Sequence, residues 1–181
     1  MPLPSGPTPA PTREQLLTLL RGFLVTVLPT GVEVVIGQAN RVPEPSGPDY
    51  VVLTSVGLRR LATTVDTWDM GDPAPSTLEH EQDVAIRVQM DVHGPNSTDN
   101  VNIITTLLRS DYGVEFFGNS GMSPLTCDDG NQIPFTSGER QFEDRWVVEA
   151  LFQMNVVVAT TQQFADRLNP ELVNVDTLYP P

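Results

Sequence analysis

An α+β fold, with a mostly antiparallel sheet of long strands packed by two main helices and extended N- and C-terminal arms, is predicted by three observations in this 181-residue chain. Two stretches alternate apolar and polar residues, the period of a strand with one buried face. Two others carry apolar residues at helical spacing. Glycine and proline clusters separate them. From 83 to 93, Val84, Ile86, Val88, Met90 and Val92 point one way, opposite Asp83, Arg87, Gln89, Asp91 and His93. From 145 to 155, Trp146, Val148, Ala150, Phe152 and Met154 share a side, opposite Arg145, Val147, Glu149, Leu151, Gln153 and Asn155. Each strand would run roughly 35 Å at about 3.3 Å per residue, so a substantial polar sheet face is expected.

The elements follow in order. Residues 1–11 carry Pro2, Pro4, Pro7, Pro9 and Pro11, which favour an extended arm and forbid a helix. Thr12 with Gln15 forms a capping-box pattern, and Leu16, Leu20, Phe23, Leu24 and Val27 give the first helix its apolar face, ended by Pro29-Thr30-Gly31. Residues 32–38 and 50–60 read as two strands joined by a polar turn from Asn40 to Asp49, a hairpin with a wide loop. The segment 62–80 has no clear period and is expected to be a projecting arm or long hairpin. After the 83–93 strand, Gly94-Pro95-Asn96 breaks the ladder and Ser97 offers an N-cap. Val101, Ile104, Leu107 and Leu108 give the second helix a buried stripe, and Arg109 suits its C-terminal dipole. Tyr112 to Phe117 reads as a short strand, Gly118 to Gly138 as turn-rich with a tight turn at Asp128-Asp129-Gly130-Asn131, and 140–155 as a long strand that Val156-Val157-Val158 extends or follows. Phe164 and Leu168 suggest a last short helix before Pro170. The expected organisation is an arm (1–11), one α+β domain (12–165) and a C-terminal tail (166–181).

Composition removes several function classes. The ten basic residues are all arginine, which excludes chemistry needing a lysine of the chain's own, such as a Walker A loop or a Schiff base. A net charge of −13 repels phosphate backbones, so tight nucleic-acid binding is not expected, although an acidic wall that DNA slides past is compatible. The single cysteine, Cys127, precludes an intramolecular disulfide. No apolar run reaches the length of a membrane span, and the N-terminus lacks a signal-peptide pattern, so a soluble protein assembled in the cytosol is expected.

Candidate chemistry is sparse. His80 stands among Glu79, Glu81 and Asp83 without metal-ligand spacing, and a solvated position at the start of a strand is the preferred reading. His93 precedes Gly94-Pro95 and reads as a structural turn histidine, since no nucleophile elbow accompanies it. Cys127 has no basic sequence neighbour to lower its pKa. The acidic turn from 128 matches a calcium loop only at Glu139, with Ile133 where glycine is needed. No catalytic residue, metal or cofactor is expected.

The polar strand faces are more informative. Asp83, Arg87, Gln89 and Asp91 meet complementary Arg145 and Glu149 on the other long strand, while Val147 and Leu151 interrupt that side with apolar groups. Such a mixture suits a protein contact or a channel wall better than a free surface. With Gln153 these residues form the candidate subunit interface or lumen, and Trp68 and Met70 in the 62–80 segment join them as candidate contact residues. Trp146 is in phase with the apolar set and is expected in the core.

The order of elements, with Gln38-Ala39-Asn40-Arg41-Val42-Pro43, Tyr50-Val51-Val52-Leu53-Thr54, Gln89-Met90-Asp91-Val92-His93-Gly94, Asp111-Tyr112-Gly113 and Glu143-Asp144-Arg145, resembles the neck or tail terminator proteins of tailed bacteriophages over roughly residues 12–165. The resemblance implies a virion protein that assembles in the host cytoplasm as a ring, usually a hexamer, at the head-proximal end of the tail. Such a ring caps tube polymerisation, meets the tail tube and in some tails the sheath, docks the head connector or stopper protein and passes DNA through its lumen. The proline-rich arm and the long 62–80 segment depart from that pattern. Competing readings are another head-tail connector or stopper ring, a metal-dependent hydrolase using Asp83, Asp91 or Glu149, and a ligand-binding accessory domain.

Overall fold

A computed structural model describes residues 6–38, 45–69, 76–133, 135–136 and 142–162. Two 18-residue strands, β5 (Ser76–His93) and β10 (Arg145–Gln162), pair antiparallel from Arg145 opposite His93 to Gln162 opposite Ser76. They are the axis of the sheet. On the β5 side lie β3 (Tyr50–Arg60) and β2 (Glu33–Ile36), with β4 (Val65–Asp69) beside the first half of β5. On the β10 side lie β1 (Pro9–Ala10), β6 (Met122–Cys127) and β7 (Asn131–Gln132). A separate two-stranded pair joins β8 (Phe135–Thr136) to β9 (Phe142–Glu143).

Among the described residues three α-helices cover one face of this open, mostly antiparallel sheet, giving the expected α+β class. Helix α1 (Arg13–Val27) packs on β2 and β3, α2 (Ser97–Leu108) on β5, β6 and β10, and α3 (Asp111–Phe117) on β6. The capping box forms as expected: Gln15 N donates to Thr12 Oγ1 at 3.2 Å and Thr12 N donates to Gln15 Oε1 at 2.7 Å. The even-numbered residues of β5 and β10 face the helices, and Val88, Met90, Val92, Val148 and Phe152 are fully enclosed. Phe117 fixes the centre of this core, with its ring 5.9 Å from that of Phe23 and 5.3 Å from that of Phe152. Each such side chain contributes about 1.5–3 kcal/mol by leaving water.

Several sequence-based expectations are corrected. Strands β2 and β3 pair in parallel and are not a hairpin: the intervening chain returns to the start of β2, where Glu33 accepts hydrogen bonds from Ser46 and Gly47, so β3 sets out beside β2 in the same direction. Tyr112–Phe117 is helical, because Gly113 and Phe117, four residues apart, are the pair that the core buries. Asn96, held by Asp49, occupies the N-cap position and Ser97 is the first helical residue. Residues 128–130 are no reversal, since β6 and β7 run the same way along β10. The 83–93 strand begins earlier, at Ser76, and pairs with β4 as the expected long hairpin. The other long strand starts at Arg145, and Val156 to Val158 extend it. Met70, Phe164, Leu168 and the tail lie outside the described residues.

Candidate functional site

Because β5 and β10 are paired without a slip, their odd-numbered side chains form one continuous face that no helix among the described residues covers. Asp83, Arg87, Gln89, Asp91, Arg145, Glu149 and Gln153 all lie on it. Arg145 donates from Nη2 and Nε to Asp91 Oδ1 at 2.6 and 3.1 Å, and Gln89 Nε2 donates to the same carboxylate at 2.9 and 3.1 Å. Asp91 is only 7% exposed, so these donors replace the water it has lost. Further along, Arg87 Nη1 meets Glu149 Oε2 at 3.1 Å in a far more open setting. Both pairs run diagonally across the two strands.

At one end of the face His93 donates from Nδ1 to Glu143 Oε1 at 3.0 Å, and the Tyr50 hydroxyl donates to the same oxygen at 3.1 Å. The Tyr50 and His93 rings stack at 4.5 Å with 7° between planes. A cleft of about 430 Å³ opens there between Gly47, Pro48, Tyr50, Gly94, Pro95, Glu143 and Asp144. His93 is thus a buried structural residue whose partners come from β3 and β9. The turn beside it depends on Gly94, at φ +106°, where a Cβ would sit 2.2 Å from the Pro48 carbonyl oxygen.

Trp68 does not join this face. It pairs with Leu78 and points to the helix side of the sheet, half-exposed, beyond the reach of α1. His80, expected to be solvated, instead ties three strands together: Nδ1 lies 2.7 Å from Asp66 Oδ1 on β4 and Nε2 lies 3.2 Å from Thr160 Oγ1 on β10. This carboxylate–imidazole–hydroxyl order resembles a hydrolytic relay. However, Thr160 lies within a strand paired to β5 and its hydroxyl also donates to the Leu78 carbonyl at 3.3 Å, a contact that holds the strands together. The sequence signal for it was a threonine 80 residues away, visible only once β10 is in register.

Cys127 has a basic neighbour that the sequence does not reveal: Arg109 Nε donates to its carbonyl at 2.8 Å, and Arg109 Nη2 meets Asp129 at 2.7 Å. Arg109 therefore fastens α2 to the β6–β7 connection. Burial outweighs the arginine and pushes the thiol up to about 11, so it is not an activated nucleophile. Among the described residues no three His, Cys, Asp or Glu side chains converge as metal ligands. Asp91 and Glu149, which a metal-dependent hydrolase would need free, are each bonded to an arginine. No helix among the described residues is long and apolar enough to cross a membrane.

The sequence model of the phage neck terminator protein family matches residues 14–177. The chain belongs to that family. No curated protein matches the chain. A neck terminator has a structural role in the neck of a phage tail and associates with other tail and head proteins. The β5–β10 face, uncovered among the described residues, offers contact area that such a role can use.

Proposed function

We propose that this neck terminator protein assembles as a ring, a hexamer, at the head-proximal end of the tail, where it stops tube polymerisation, docks the head connector and lets DNA pass through its lumen. The observation that carries the reading is the continuous face of β5 and β10, on which cross-strand ion pairs stand beside the half-buried apolar Val147 and Leu151. The two ion pairs can be covered by a neighbouring protein with their charges still matched, whereas Asp83, whose Oδ1 is buried with no partner among the described residues, would take a donor from that neighbour. Six copies at −13 each carry roughly −78, and an acidic bore repels a DNA backbone so that it slides without sticking. Contact with the tail tube, with the sheath where there is one, and with a stopper protein would use the two rims of the ring. Assembly would take place in the host cytoplasm.

Negative-stain microscopy combined with light-scattering mass of the purified chain tests this. Rings with a central hole and a mass near six copies are expected. A strictly monomeric protein, even when mixed with its tail and connector neighbours, would overturn it.

A further inference from the structure

Exposed apolar side chains are concentrated on this molecule. Val56, Leu58, Leu61 and Val65 follow one another at the end of β3 and the start of β4, and are 46%, 71%, 40% and 58% exposed. Strand β2 pairs only with Tyr50 to Leu53, so the outer edge of the rest of β3 and of β4 has no strand neighbour among the described residues. Open edges with aliphatic side chains are pairing surfaces that proteins normally protect. Arg59 and Arg60 flank this edge, exposed and without an ion pair among the described residues.

A second exposed surface lies on the opposite flank. Helix α3 packs on β6, which pairs with β10 on the side away from β5. Tyr112 and Val114 on α3 are 45% and 50% exposed. Asp111 and Glu115 stand beside them, exposed and likewise without an ion pair among the described residues. The order β6, β10, β5, β3 separates the two surfaces by three strand spacings, about 14 Å.

We propose that these two surfaces meet at the joint between neighbouring copies, the β3–β4 edge of one docking on α3 of the next, with Arg59 and Arg60, which leave β3 on opposite faces, reaching around the edge to Asp111 and Glu115. The occupant is a second copy because the chain carries both halves of the match, apolar with basic and apolar with acidic. A two-fold contact of either surface with itself would set arginine against arginine or carboxylate against carboxylate, and like charges opposed across a contact disfavour it. Unlike surfaces on opposite flanks instead join head to tail, the type of contact that makes a ring when its rotation closes. The assignment rests on the ring reading above and adds which surfaces form its joints.

The test uses full-length chains followed by light-scattering mass, with far-ultraviolet circular dichroism to verify folding. Arg59→Glu with Arg60→Glu, and separately Asp111→Arg with Glu115→Arg, should each reduce the ring fraction at least tenfold. Mixed one to one, the two variants supply what each other lacks, and rings of alternating copies should return. If either reversal unfolds the chain, Arg59→Gln with Arg60→Gln and Asp111→Asn with Glu115→Gln replace them, and each should weaken ring formation in a salt-dependent manner. Wild-type rings together with normal assembly of both variants would overturn this joint and leave the ring reading standing. Folded variants that stay monomeric after mixing would also overturn it. Absence of rings from the wild-type chain among its neck and tail partners would instead overturn the ring reading itself.

Discussion

Arg145 and Arg87 carry the same charge on the same sheet face, yet their environments give them different duties. Asp91 beside Arg145 is nearly enclosed, so removing the arginine strands a desolvated carboxylate, whereas Arg87 and Glu149 keep much of their hydration. Arg145→Ala is therefore expected to cost about 3 kcal/mol, and Arg87→Ala less than about 1 kcal/mol. Urea unfolding midpoints check this; equal shifts for the two variants would contradict it. The alternation of β5 and β10 showed in the sequence that both arginines share a face. What it could not show was which carboxylate each would choose or how deeply, because that depends on the diagonal offset between strands 54 to 62 residues apart.

Among the elements, those ruled by local signals were legible and those ruled by distant partners were not. Helix α1 announced itself through Thr12, Gln15 and a clean apolar stripe, and the long strands through an apolar set at every second residue. Tyr112 to Phe117 misled because aromatic residues favour strands, while the deciding fact was the slot between Phe23 and Phe152 that receives Phe117. Strand β6 was hidden among turn residues, since Pro124 and Ser123 are tolerated only because β10 supplies the pairing. The break between β6 and β7 has its own requirement at Gly130, where an added Cβ would fall 2.5 Å from Val101 Cγ1 on α2 and 3.4 Å from the Trp146 ring. Gly130→Ala should lower stability by about 1–3 kcal/mol through overpacking. Thermal unfolding of the purified variant measures this, and an unchanged midpoint would show that α2 can shift to make room.

At the scale of the whole molecule, the described residues cover the sheet with three helices on one side and with none on the other, and beyond α1 the ribbon carries Trp68 away from the core. Trp68 is expected as a contact residue from its place in a segment without period, and its pairing with Leu78 puts it on the side of the sheet opposite to the charged face. Trp68→Ala is expected to weaken assembly while leaving the unfolding midpoint of the monomer within about 0.5 kcal/mol in stability terms. Sedimentation velocity across a concentration series reads the first quantity; unchanged assembly would remove Trp68 from the interface.

The ladder between β5 and β10 runs through all its rungs without an offset, whereas β3 has a bulge between Ser55 and Gly57. A one-residue insertion or deletion within either long strand would turn every later side chain inside out, exchanging greasy packing for carboxylates and arginines. The ribbon can be lengthened or trimmed only by two residues at a time and in both strands together. A single-residue length change is expected to be tolerated best at the β3 bulge, so β3 and the long ribbon should obey different rules of sequence drift.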